Sequence, residues 1–386
     1  MTRDASAVIV GGGLAGLVAA WRLERQGVAV VLIEAGERLG GRIESPTAAQ
    51  MGAAEVLTDD SPRFDLGATW FWPSMQPALS GLIEALGLPS SAQHESGDML
   101  VERSPHVAPQ RVPGYATGSM RLDGGMAALV EAVRARLHAT RIVTGETVRR
   151  IRRVASGIEL DATDTCDRIT TYRAGHVLLA LPPRLAAATI AFEPALPRAL
   201  AIAWRDTATW MAPHAKYLAV YDTPFWREAG LSGAARSAGG PLAELHDASP
   251  AHGAGALFGF FGVPARTRSR VADAVLREQC RAQLVRLFGA EAATPRAEAI
   301  RDWARLPTVA TAADQDGGAG HGIAPPAAVA IGPWQGCLTG IASEWSPRFP
   351  GYVAGAVEAA ERGVHAWLDG VGRAPVSCLS SNREPS

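Results

Sequence analysis

Cysteine is scarce: the 386 residues hold four, Cys166, Cys280, Cys337 and Cys378. They are far apart and form no CxxC pair, which excludes a disulfide framework or a zinc ribbon and is the usage expected of reduced thiols. The nine histidines are equally scattered, with no HxxxH or HExxH pair, so no metal site is expected. Neither sign of charge is in excess, the formal net being −1. Without a basic field to draw phosphate backbones or anionic lipid, neither nucleic acid nor a membrane surface is expected as a partner. Apolar runs stop well short of the roughly 18 residues of a membrane span. The opening MTRDASAVIV leads into an apolar strand instead of a charged, cleavable leader. These absences give the expectation of a cytoplasmic protein. Oligomeric state stays open, a homodimer being admissible.

What is present is core-forming material. The chain is 47% apolar and 19% charged, and its length suits about two domains of roughly 100 to 200 residues each. Residues 7–10 are a short apolar run that meets Gly11-Gly12-Gly13, after which Leu14, Leu17, Val18 and Trp21 recur at helical spacing. Gly27 closes that helix, and residues 28–33 read as a strand buried on both faces, the mark of a parallel sheet. Further along, the patterning predicts helices around residues 79–86, 126–137, 271–288 and 352–368. It predicts strands at 142–148, 154–160, 177–181, 216–221, 256–263 and 337–342. Residues 90–118 lack periodicity and read as loop, 311–333 as an Ala/Gly/Pro-rich crossing, and 371–386 as a disordered tail.

Gly11-x-Gly13-x-x-Gly16 stands between a strand and a helix, the context a dinucleotide fingerprint requires. The first glycine permits the tight turn. The second admits a pyrophosphate to the helix N-terminus, where Leu14 and Ala15 follow, and the third lets helix and strand pack closely. Glu34, with Ala35 after it, ends the second strand where a carboxylate can accept hydrogen bonds from a ribose.

The next segment, Glu37-Arg38-Leu39-Gly40-Gly41-Arg42, resembles the extension found in the large FAD family of glutathione-reductase-like folds. That resemblance implies a phosphate contact by Arg42, for which a planar guanidinium is suited. Further segments are similar to the flavin-dependent amine oxidases, the monoamine and polyamine oxidase-like enzymes, and span most of the chain. Asp65-Leu66-Gly67-Ala68-Thr69-Trp70 resembles the family's D-L-G-G-x-W segment, whose small residues lie against the flavin. The run 177–183 resembles the strand that closes the second part of the FAD domain. Val148 stands where the family contacts adenine through its backbone. Lys216 followed by Pro224-Phe225-Trp226 matches a strand lysine and its landmark, and Ser343-Glu344, Gly351-Tyr352 and Ala356-Val357-Glu358 match the family's closing pattern.

The resemblance implies an α/β FAD-binding, glutathione-reductase-type Rossmann domain built from residues 1–72, 119–192 and 316–370. An α+β substrate domain would come from 73–118 and 193–315. It also implies an oxidase: a small amine and dioxygen as partners, hydride transfer from the amine α-carbon to flavin N5, then imine hydrolysis and hydrogen peroxide. Lys216 is the expected catalytic residue beside N5 and Tyr352 the aromatic wall at the last helix. Cofactor contacts are expected from Gly11, Gly13, Leu14, Ala15, Gly16, Glu34, Ala35, Gly41, Arg42, Gly67, Ala68, Thr69, Trp70, Val148, Glu344 and Tyr352. Trp70, His214 and Phe260 are candidates for substrate contact. Trp70 and Trp72 are expected on opposite sides, at most one of them facing the flavin.

Two departures from the family pattern carry expectations of their own. Aligned from Trp303, Ala312 and Ala313 stand where the family has a second aromatic and, in some members, a flavin-attaching cysteine. That implies non-covalent FAD and a half-missing aromatic cage. Trp70 stands where amino-acid oxidases often carry an arginine, favouring a substrate without a carboxylate. The rival readings are a same-fold oxidase or desaturase of a biosynthetic intermediate, and an FAD-binding protein without turnover.

Overall fold

A computed structural model describes residues 2–53, 61–251, 253–315 and 322–371. Two large sheets organise it. The first has eight strands, with Thr2–Val10 between Ile169–Leu179 and Val30–Ile33, all parallel, and Arg141–Val143 beyond them. An antiparallel pair, Glu146–Val154 and Gly157–Asp164, extends the other side, and Leu338–Gly340 also runs parallel to Ile169–Leu179. The parallel centre is apolar on both faces: Val8, Ile9, Val31, Leu32, Val177 and Leu178 are all buried. The helices Leu14–Glu24 and Val353–Val371 pack on one face and against each other. Chain reversal after Val10 depends on Gly11, whose φ is +110°. A Cβ at Gly16 would stand 2.0 Å from the Gly11 carbonyl oxygen, so only glycine allows the first helix this approach.

The second sheet is seven-stranded, with Ala215–Tyr221 and Gly255–Phe261 at its heart. These two strands are buried nearly throughout, between the helix Asp273–Phe288 on one face and the Phe64/Leu66 segment on the other. Outward from Gly255–Phe261 come Leu242–Asp247, Leu231–Ser237, Asp98–Glu102 and Gln110–Pro113; Ala297–Asp302 lies at the opposite edge. No helix among the described residues is long and apolar enough to cross a membrane.

The structure corrects several sequence expectations. The stretch read as loop, 90–118, holds the strands Ser90–Ala92, Asp98–Glu102 and Gln110–Pro113. They are short and rely on partners distant in sequence, which local periodicity does not report. The strand read across 154–160 is a hairpin corner: Val154 pairs with Gly157, whose φ of +136° turns the chain. Likewise Gly145, φ +72°, breaks 142–148 into two strands with different neighbours. The last helix runs on through Val371, and the remainder of the expected tail lies outside the described residues, as do residues 316–321 of the expected crossing.

Candidate active site

A cavity of about 810 Å³ runs along the junction of the two sheets. At one end its wall is the fingerprint: Gly11, Gly13, Leu14 and Ala15, with Glu34 beside them. Gly13 caps the first helix without a side-chain hydrogen bond, and no acidic residue sits in the first turn, so the amides of that turn remain available to an anion. A Cβ on Gly13 would meet nothing nearer than Gly41 Cα at 4.0 Å. Glu34 Oε2 accepts from the Gly12 amide at 2.6 Å and Oε1 from the Gly36 amide at 2.8 Å. The carboxylate is thereby pinned at the wall with lone pairs left for hydroxyl donors. A phosphate cradle and a fixed ribose acceptor along one long cavity are what a dinucleotide needs, and these residues fit one.

Of the remaining expected contacts, Gly41, Arg42, Gly67, Ala68, Thr69, Trp70, His214, Phe260 and Tyr352 also line this cavity. Gly16, Ala35, Val148, Glu344 and Lys216 are not among the lining residues. Gly16 serves the helix–strand packing described above. Val148 is buried in its strand next to a register shift. Glu344 is buried and takes both ends of the Arg42 fork, Nη1 at 2.5 Å and Nη2 at 3.0 Å. Arg42, itself a wall residue, is thereby held by a bidentate pair that ties its loop to the Ser343-Glu344 turn.

Lys216 stands one layer behind the wall. Its Nζ donates to Asp65 O at 3.0 Å, Gly67 O at 2.9 Å and Thr69 Oγ1 at 2.8 Å, and lies 4.1 Å from the Phe258 ring centroid. Three acceptors match the three hydrogens of an ammonium, each such bond contributing about 1.5–3 kcal/mol. Complete burial works against the charge, whose removal from water costs several kcal/mol. Burial prevails far enough to bring the Lys216 pKa down to about 7, with Arg121 adding to the effect and Asp65 opposing it. Burial in turn raises the Asp65 carboxyl above the ordinary range. Gly67 and Thr69, which hold the amine, are themselves wall residues, so Lys216 fixes the segment that faces the cavity.

The aromatic wall differs from expectation. Both Trp70 and Trp72 line the cavity, while Phe71 between them is buried in the first core. Residues two apart on extended backbone share a face, so the expectation of opposite sides was at fault. Trp72 meets Tyr352 edge to face, with centroids 6.3 Å apart at 85°. Ala312 and Ala313, expected at the second aromatic position, do not line the cavity; Trp303, Leu306, Thr308 and Val309 of that segment do. Trp72 gives Tyr352 an aromatic neighbour from a different part of the chain.

Sequence reasoning missed Gln93, from the stretch read as loop. Its Oε1 accepts from Trp70 Nε1 at 2.8 Å, and its Nε2 donates to the Asp247 carbonyl at 2.8 Å. The Asp247 carboxylate is held in turn by Trp226 Nε1 at 2.9 Å and Arg227 Nε at 2.9 Å. The Pro224-Phe225-Trp226 landmark thus orients Trp70 through Asp247 and Gln93. Trp210 was missed as well. It lines the cavity, its ring stands 5.3 Å from His214, and a Cβ on Gly351 would strike it at 2.4 Å. Met211 beside it holds φ +65°, a strained value for a non-glycine residue.

Residues 101–366 match the sequence model of a family described as flavin containing amine oxidoreductase, and residues 9–86 that of an NAD(P)-binding Rossmann-like domain. A Mycobacterium tuberculosis protein provisionally named a flavin-containing monoamine oxidase is 27% identical, over 92% of this chain and 94% of its own. The putrescine oxidase of Kocuria rosea is 34% identical, over 39% of this chain and 34% of its own. The structure of cyclohexylamine oxidase from Brevibacterium oxydans superposes with a TM-score of 0.75 at 19% identity, covering 96% of this chain and all of that one, which speaks to the fold.

Proposed function

The chain belongs to the flavin containing amine oxidoreductase family, and from that footing we propose that it is an FAD-dependent oxidase of an amine C–N bond, with dioxygen as electron acceptor. The observation that supports this reading best is the coupling of two features on one cavity: a dinucleotide cradle at one end, and the buried Lys216 amine gripping its wall through Gly67 and Thr69. A binding protein without turnover has no need to bury a lysine at such cost.

In this reading, the first-turn amides at Leu14 and Ala15 hold the pyrophosphate and Glu34 the ribose. The 67–70 segment and Tyr352 would hold the flavin ring. Among the described residues no cysteine lines the cavity, which supports FAD held non-covalently. Bound flavin would supply the two-electron chemistry, accepting hydride from the amine α-carbon and returning the electrons to dioxygen as hydrogen peroxide. The chain's own groups bind, orient and exclude water. Trp70, Trp72 and Tyr352 shape an apolar slot for the neutral amine, while Lys216, able to carry or release a proton near pH 7, supplies charge to the wall through Thr69. The resulting imine is hydrolysed to a carbonyl compound and an amine or ammonia.

The division of the chain in this reading is 1–72, 119–192 and 316–370 for the cofactor, with 73–118 and 193–315 for the substrate. The sources of the strands in the two large sheets support it. Steady-state assay of the purified yellow protein with primary, secondary and polyamines, reading peroxide and carbonyl product together, tests the function. Amine-dependent formation of both in equal amounts is expected; peroxide from none of the amines would overturn it. Acid precipitation is expected to release all of the flavin.

A further inference from the structure

The sheet side of the cavity carries one continuous cross-strand row. Register pairs Arg236 with Glu244, Glu244 with Phe260, Phe260 with Lys216 and Lys216 with Arg301. Directly paired residues share a face of a sheet, and the contacts agree: Arg236 forms an ion pair with Glu244, and Lys216 Nζ lies 5.3 Å from the Phe260 centroid. Apart from the buried Lys216, every member of the row lines the cavity. Arg236 and Arg301 of the row each pair with a carboxylate, Glu244 and Glu44, and Lys216 lies buried behind the wall. Glu44 is also approached by Arg38 at 3.8 Å.

Arg236 is the cation of the row best disposed to receive a ligand. Its side chain is 52% exposed, whereas that of Arg301 is 32% exposed and Lys216 is buried. The bond to Glu244 commits Nη1 alone, so a planar fork of donors remains. Glu244 is steadied on its other oxygen by His246 Nε2 at 2.8 Å, and His246 packs against the Trp70 edge with centroids 4.8 Å apart. The guanidinium is thus held by a chain of contacts that begins at the aromatic slot. We propose that Arg236, positioned by Glu244, binds a carboxylate at the far end of the amine substrate, so that the preferred substrates are amines with an anionic tail.

This rests on the oxidase reading and deepens it. Trp70 stands where amino-acid oxidases often carry an arginine, which argues against a carboxylate beside the amine carbon; Arg236 offers a cation farther off, from another strand. Neighbouring strands lie about 4.8 Å apart, which puts the Arg236 backbone roughly 14 Å from that of Lys216, three strands away. After the reach of the Arg236 side chain, the tail is long. A bidentate carboxylate on a guanidinium suits such a site in both geometry and charge.

The experiment is anaerobic reduction of the holoenzyme by two ladders, ω-amino carboxylates of about four to ten carbons and the alkylamines of matching length. Expected is an apparent Kd at least tenfold lower for the carboxylates at one preferred length. Arg236→Met should abolish that preference while leaving alkylamine Kd values and limiting reduction rates unchanged. Glu244→Gln should weaken the preference by a smaller factor. Equal affinity for the two ladders in the unmodified enzyme, or a preference that survives Arg236→Met, would overturn the proposal. Simple alkyl carboxylates, read by the perturbation of the flavin absorption band, separate the two layers. If they bind in an Arg236-dependent way while no amine reduces the flavin, the subsite stands and the oxidase reading fails.

Discussion

On the first-sheet side the cavity wall is largely backbone: glycines, first-turn amides and one pinned carboxylate, all within a short piece of chain. On the second-sheet side it is made of side chains from four strands, their relative positions set by register, with Trp70 oriented by a glutamine from a distant segment. The first kind of wall tolerates no Cβ where backbone meets backbone. The second tolerates substitution but loses orientation. The two sides should therefore fail differently.

The largest effect is expected at Gly16. A Cβ there meets the Gly11 carbonyl oxygen at 2.0 Å, and relief requires backbone movement, so Gly16→Val should cost about 3 kcal/mol or more and yield little soluble protein. Gly13→Val sharpens the contrast, since its Cβ would meet nothing nearer than Gly41 Cα at 4.0 Å. It should fold with a normal circular dichroism spectrum yet emerge without flavin; a yellow Gly13→Val protein would show that the cradle is elsewhere.

Lys216→Met should keep its flavin and slow reoxidation by dioxygen on the order of tenfold or more, the scale expected for removal of a preorganised charge. Stopped-flow mixing of the reduced enzyme with oxygen measures it, and unchanged kinetics would remove Lys216 from the reaction. The same residue should leave a signature in stability. Burial lowers its pKa from 10.5 to about 7, so between those values the unfolded chain binds more protons than the folded one. The contribution of this group to stability should therefore rise as pH climbs through that window. Urea midpoints measured across it should show a positive slope in the parent that Lys216→Met flattens.

Gln93→Leu should have the smallest effect. Losing the bond to the Trp70 indole frees the ring without touching the cradle, and a several-fold rise in KM with kcat and flavin content nearly unchanged is expected. A fall in kcat alone would place Trp70 in the chemical step instead.

The same contrast explains what could be read in advance. The fingerprint, Glu34 and the central parallel strands were legible because each is a local pattern with a local cause: turn, helix start, buried strand. Lys216 was legible by its strand and landmark, although its three bonds to Asp65, Gly67 and Thr69 were not, since they join segments far apart in sequence. Gln93 sat in a stretch without periodicity, and its importance arises only once Asp247 and Trp70 converge on it. Arg236 and Glu244 lie on strands that the sequence patterning did not single out, and register alone puts them in line with Phe260 and Lys216. Trp72 lines the cavity together with Trp70, against the expectation of opposite sides, because residues two apart on extended backbone share a face.

A single experiment bears on the whole reading: mix the yellow protein with amines under anaerobic conditions, follow the flavin absorbance, then admit air. Bleaching by an amine, followed by recovery of colour with one peroxide released per flavin, is the expected result. A flavin that stays oxidised with every amine tested would contradict the assignment of this cavity to amine oxidation.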